Sequence, residues 1–123
     1  MRHMVESGQE PARDGDRQTQ LLRGALDMCL LALLRTEPSH GYDLVRRVEA
    51  AGFEAVSYGT IYPLLTRMRR LGLVADELAS SPSGPPRKVY GVTDQGRRRL
   101  HSWRLQWSAF AKTVNGIVDG QGG

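Results

Sequence analysis

Ser57-Tyr58-Gly59-Thr60-Ile61-Tyr62-Pro63-Leu64-Leu65-Thr66-Arg67-Met68-Arg69-Arg70-Leu71-Gly72-Leu73-Val74 is the stretch on which the fold turns. Ile61, Leu64, Leu65, Met68 and Leu71 recur at the spacing of one face of an α-helix. The other face carries Thr60, Tyr62, Thr66, Arg67 and Arg70. Hydroxyls and guanidinium groups opposite an apolar face suit a helix in a DNA major groove, where they meet phosphates and base edges. An ordinary core helix with a solvated face would carry the same pattern. Pro63 lies close enough to the helix start to be tolerated. Gly72 supplies a left-handed stop, after which Leu73-Val74 begins an extended segment.

The chain of 123 residues is long enough for one domain with a modest core. It carries 17 basic and 13 acidic residues, for a net charge of +4. Fifteen of the cations are Arg, the side chain best suited to bidentate contact with phosphate or guanine. The balance fits a polyanionic partner. A single Cys29 excludes an internal disulfide and a Cys-based zinc site. There is no apolar run of membrane-spanning length and no hydrophobic signal core, so the expectation is a cytoplasmic protein without a membrane partner.

Residues 1–18 are polar and aperiodic and are expected to form a disordered leader. Gln20 to Arg35 reads as one helix with two apolar stripes: Leu22, Leu26, Cys29 and Leu33, and Leu21, Ala25, Met28 and Ala32. One stripe would pack on its own domain. The other calls for a further partner, unless the helix is simply central to a monomer. Glu37-Pro38 breaks the chain, and Ser39 is the expected N-cap of a helix whose inner face is Leu44, Val45 and Val48. His40 has no second histidine at metal-ligand spacing and reads as a turn residue. Beyond Gly72, short strands are expected at 74–78 and 88–92 around a long tip, Ala79 to Pro86, with Arg87 and Lys88 at the hairpin base.

Thr93 caps a last helix over 93–119, and 120–123 form a loose tail. Leu100, Trp103, Trp107, Phe110, Val114 and Ile117 follow one another at intervals of three and four, a heptad seam. About 25 residues at 1.5 Å each make a helix ~37 Å long, more than a small domain covers. The seam is expected to pair with its counterpart in a second chain, although folding back onto its own domain would also bury it. The fold class is therefore mainly α: a winged helix-turn-helix over 19–92 with a two-stranded wing, followed by a long C-terminal dimerisation helix.

The segments Leu30-Leu31-Ala32-Leu33-Leu34, His40-Gly41-Tyr42-Asp43-Leu44, Gly59-Thr60-Ile61-Tyr62-Pro63-Leu64-Leu65, Leu71-Gly72-Leu73-Val74 and Arg87-Lys88-Val89-Tyr90-Gly91-Val92-Thr93-Asp94-Gln95-Gly96-Arg97 go further. Together they resemble the PadR-like transcriptional regulators, in the short form with one C-terminal helix. The resemblance spans roughly 20–118. It implies a homodimeric repressor that binds a short inverted repeat in double-stranded DNA. Expected DNA contacts are Ser57, Tyr58, Gly59, Thr60, Tyr62, Pro63, Thr66 and Arg67 on the helix first quoted, with Arg87 and Lys88 from the wing.

In some short relatives a Trp in a Trp-Ser segment lies at the dimer axis and stacks flat aromatic ligands. Trp107-Ser108 match that segment. The resemblance then makes Trp107 and Trp103, with Leu21 and Met28 as lining, the expected seat of a planar aromatic effector. Some relatives carry an acid one turn beyond the Trp, where this chain has Ala111. Alternatively both indoles fill a dimer core. A winged-helix module that binds protein, with no effector pocket, is the competing function. No cofactor or metal is expected. Nor is an enzyme, because His3, His40, His101 and Cys29 form no nucleophile–base–orienter set.

Overall fold

A computed structural model describes residues 10–54 and 56–120, with side chains from 16 onward. The elements run α1 (Glu10–Arg23), α2 (Leu26–Thr36), α3 (Gly41–Ala50), α4 (Tyr58–Arg70), β1 (Val74–Ser81), β2 (Gly84–Val92) and α5 (Asp94–Val118). The core gathers one stripe from each: Leu26, Leu30, Leu31 and Leu34 of α2, Leu44 and Val48 of α3, Ile61, Leu65 and Met68 of α4. Leu73, Val74, Tyr90 and Leu100 close it. This is the expected winged helix-turn-helix with a long C-terminal helix.

Several local expectations are corrected. The leader expected over 1–18 is helical from Glu10, while residues 1–9 and the tail residues 121–123 lie outside the described part. Pro11 falls in the first turn of α1, where its missing N–H costs little. The single helix expected over 20–35 is two, divided at Gly24-Ala25, where Ala25 N–H donates to the Leu22 carbonyl. Glycine is a weak helix former, and the turn lets both Leu22 and Leu26 enter the core. The α2 stripe is consequently Leu26, Leu30, Leu31 and Leu34, with Cys29 and Leu33 half-buried. Leu71 falls beyond the last turn of α4 and is exposed.

Ser39 is not the cap of α3. His40 is, its Nδ1 accepting from the Asp43 N–H at 3.4 Å. Ser39 instead pairs with β2: its N–H donates to the Tyr90 carbonyl at 3.0 Å, and Tyr90 N–H donates back at 2.8 Å. That bridge fastens the wing to the body. The C-terminal end of α2 is closed by Arg47, which donates to the Leu33 carbonyl at 2.6 Å and the Glu37 carbonyl at 3.0 Å.

The wing is also tighter than expected. Its strands reach Ser81 and Gly84, leaving Pro82-Ser83 as the tip in place of the longer loop 79–86. The ladder holds because its register shifts between Ala79 and Ser81. Pro85 and Pro86 there oppose Ser80, and a bulge accommodates prolines that cannot donate to a ladder.

One clasp orients α5. Thr93 Oγ1 donates to the Gly72 carbonyl at 2.6 Å and accepts from the Gly96 N–H at 2.9 Å, while Thr93 N–H donates to the Leu73 carbonyl. Gly72 itself is left-handed, φ 79°. A Cβ at Gly96 would overlap the Leu73 carbonyl oxygen and Val92, so α5 can cross this corner only on glycine. Gly96→Ala should therefore destabilise the fold by about 1–3 kcal/mol, lowering Cm in urea unfolding. An unchanged midpoint would show that the corner yields.

Candidate nucleic-acid interface

The N-terminal ends of α3 and α4 meet the base of the wing around a groove of ≈ 730 Å³. Its walls are His40, Gly41, Tyr42 and Arg46 of the α3 end, Tyr58 and Tyr62 of α4, and Arg87, Lys88 and Tyr90 of β2. Tyr58 is the hinge of an aromatic stack. Its ring lies on Tyr42 at 4.4 Å between centroids, nearly parallel, and 5.5 Å from the tilted ring of Tyr62. Gly41 makes the stack possible, since a Cβ there would overlap Tyr58 Cε1.

The Tyr58 and Tyr90 phenols stay neutral and can donate to phosphate. Burial, then the neighbouring Tyr42 and Tyr62, pushes the Tyr58 phenol up. Burial does the same at Tyr90, with Tyr58 and the Asp76 carboxylate adding to it.

Two carboxylates organise the cations around this groove. Asp43 pairs with Arg46 one turn on and lies 3.1 Å from His40 Nε2. Arg87 approaches the same ring nitrogen at 3.4 Å. Asp76 lies 3.4 Å from Arg69 and 3.7 Å from Lys88. Among the described residues Arg67 and Arg70 are in no ion pair, and both are exposed.

The residues singled out in the sequence do not all share this groove. Tyr58, Tyr62, Arg87 and Lys88 do. Ser57, at the N-cap, and Gly59 and Arg67 on α4 are exposed, and Thr66 is partly covered. Thr60 and Pro63 border a different cleft of ≈ 270 Å³, against Leu22 and Leu26 and the chain before α4. His40, Tyr42, Arg46 and Tyr90 belong to the groove and were not singled out. An exposed tyrosine in the first turn of α3, followed by Arg46, was the available signal.

The C-terminal seam divides in two. Leu100 is 1% exposed and Trp103 packs against the same core, so both serve their own chain. Below them Trp107 is 48%, Phe110 62% and Ile117 73% exposed, and Val114 is open as well. The Trp107 and Phe110 rings lie 6.2 Å apart. A shallow cleft runs from Trp107 and Ser108 past Ala111 to Ile117, and Trp103, Leu21 and Met28 are not among its walls. Leu21 is exposed on α1, and Met28 leans on the core. The expected effector residues thus do not converge within one chain. Cys29 is half-buried, its thiol pushed up by burial and then by Asp27, and so remains protonated.

Four helices, a two-stranded wing and a long fifth helix, with cations and tyrosines collected where α4 and the wing meet, define a winged helix-turn-helix regulator. The chain belongs to the transcriptional regulator PadR-like family, whose sequence pattern matches residues 30–102. It is 28% identical over 91 residues to the negative transcriptional regulator PadR of Bacillus subtilis (strain 168), over 72% of this chain and 50% of that one. The chain thus spans about half the length of that curated relative.

Its fold is similar to a PadR family transcriptional regulator from Eggerthella lenta DSM 2243, with 33% identity and a TM-score of 0.83 over 91% of this chain and 97% of that one. It is also similar to Bacillus subtilis PadR in complex with operator DNA, with 26% identity and a TM-score of 0.60 over 66% and 47%. The family and these relatives are transcriptional regulators, not enzymes.

Proposed function

We propose that this protein is a homodimeric transcriptional repressor that grips operator DNA between α4 and the wing and releases it when a planar aromatic effector binds between its C-terminal helices. The observation that carries the DNA reading is the groove in which Tyr58 and Tyr62 of α4 face Arg87 and Lys88 of β2. The relative solved with operator DNA supports it.

In this reading α4 enters the major groove by its N-terminal end. Gly59 offers no side chain, so backbone can approach the duplex closely, while Tyr62 and Arg67 supply donors. The wing cations meet the flanking phosphates. Counter-ions released from the DNA as these cations meet phosphates drive the affinity, and the tyrosines fix the register.

The homodimer reading rests on the lower half of α5. Trp107, Phe110, Val114 and Ile117 form an apolar patch that a lone chain rarely exposes. Two copies crossing there would bring two Trp107 indoles together. Trp103 is already committed to the core, so the effector reading now rests on Trp107 alone. An aromatic ring between two indoles gains ~0.5–1.5 kcal/mol per stacking contact beyond burial. The lining residues Leu21 and Met28 would have to come from the partner chain.

Removing Arg67 (Arg67→Ala) should lower affinity for all duplexes and reduce the salt slope by about 1. Tyr62→Ala should cost ~1–3 kcal/mol on the operator and relax its specificity. Fluorescence anisotropy across a salt series checks both. If the two variants bind as the parent does, α4 is not the reading helix, and binding indifferent to salt would favour a protein-binding module.

Phe110→Glu with Val114→Glu should give a monomer with weakened DNA binding, whereas the parent sediments as a dimer at micromolar concentration. A monomeric parent would remove the dimer from the account. A planar aromatic compound should quench Trp fluorescence and weaken operator binding by one and the same coupling factor, and Trp107→Ala should abolish the quench. Quenching that survives this substitution would place any effector elsewhere.

A further inference from the structure

Asp76 is unlike the other carboxylates near the groove because its two cations come from two different elements. Arg69 belongs to the last turn of α4 and Lys88 to β2, while Asp76 itself is on β1. Asp43, by comparison, pairs with Arg46 on its own helix. The Asp76 side chain is only 16% exposed, against 41% for Asp43, so water screens its pairs less. In register Asp76 stands opposite Tyr90, and directly paired residues share a face of the ribbon. The carboxylate therefore sits beside the tyrosine that lines the groove, drawing Lys88, a groove cation, and Arg69 together.

We propose that Asp76 is a positioning residue for DNA recognition, a carboxylate that ties the wing to α4 and keeps Lys88 and Arg69 from binding phosphate indiscriminately. The proposal rests on the DNA reading above. A lysine held by a carboxylate contacts a phosphate only where the duplex presents one at the held position. Elsewhere the contact requires breaking the pair. A freed lysine on its flexible stem finds a phosphate on any duplex. Tethering thus costs affinity on random DNA, where the gain would be largest. It supports affinity on the operator, where wing and helix must both be in register. Discrimination is the difference between the two.

Asp76→Asn preserves the side chain's shape and removes its charge. Its control is Glu77→Gln, which makes the same change in net charge one residue along, on the opposite face of the strand. Anisotropy titrations of operator and random duplexes over a salt series give the readout. Each freed cation that finds a phosphate adds about 0.9 to the salt slope, so Asp76→Asn should steepen the random-DNA slope by about 1–2. Affinity for random DNA should rise about 3–10-fold at low salt, the expected effect of the added phosphate contacts. Operator affinity should stay flat or fall, and Glu77→Gln should leave discrimination as it was.

Lys88→Gln in the Asp76→Asn background should take back about one unit of slope. A merely structural loss would lower the melting temperature and move no slope. Asp76→Ser repeats the charge loss with a smaller side chain, should Asn fold poorly. Asp76→Asn with the parental slope, or with equal gains on both duplexes, overturns the positioning role while the DNA reading stands. A parent without salt-dependent duplex binding overturns both.

Discussion

Everything that this protein presents to a partner depends on the corner where α4 ends and α5 begins. Gly72 turns the chain, the Thr93 hydroxyl bridges the Gly72 carbonyl and the Gly96 amide, and the backbone of α5 lies against Leu73. Two backbone groups that would be orphaned at a helix end and a turn are satisfied by one side chain. In consequence α4, the first pair of the wing ladder (Val74 with Val92) and the start of α5 meet at one small junction. Leu100, one turn beyond Gly96, then seals α5 onto the core. The same junction joins α5 to α4 and the wing, and it is the route that the proposed effector acting through the C-terminal helix would use.

The groove adds an electrostatic constraint to that mechanical one. Tyr58 stacks on Tyr42 only because Gly41 leaves room, and so the aromatic floor is built from both α3 and α4. Around it, Asp43 engages Arg46 and Asp76 engages Arg69 and Lys88, while Arg67 and Arg70 stand exposed on α4. The surface is basic yet internally braced. In the proposed reading such bracing limits how the cations move toward a polyanion, so that geometry as well as charge decides where they bind.

The elements with strong periodicity were legible in the sequence. Ile61, Leu65 and Met68 mark the buried face of α4, Gly72 ends it, and Thr93 starts a helix that runs 25 residues, as its three-and-four spacing requires. What escaped was set by tertiary pairing or by weak local signals. Ser39 looks like a cap but is taken by the Tyr90 backbone, so the capping role passes to His40. Residues 10–18 of α1 carry no apolar stripe and read as leader. The diprolines at 85–86 read as loop, although a bulged two-stranded ribbon admits them. At the site, α4 and the wing were visible because their residues are contiguous in sequence. Tyr42 and Arg46 were not, because only the fold brings α3 to the same groove.

The lower half of α5 exposes an apolar patch at Trp107, Phe110, Val114 and Ile117, the surface on which the proposed dimer rests. Hydroxyl-radical footprinting on the DNA upstream of the protein's own coding region tests the account most directly. It predicts two equivalent protected patches centred about 34–36 Å, one helical turn, apart, since each copy places one α4 in successive major grooves of one duplex face. One isolated patch, or uniform protection without symmetry, would contradict it.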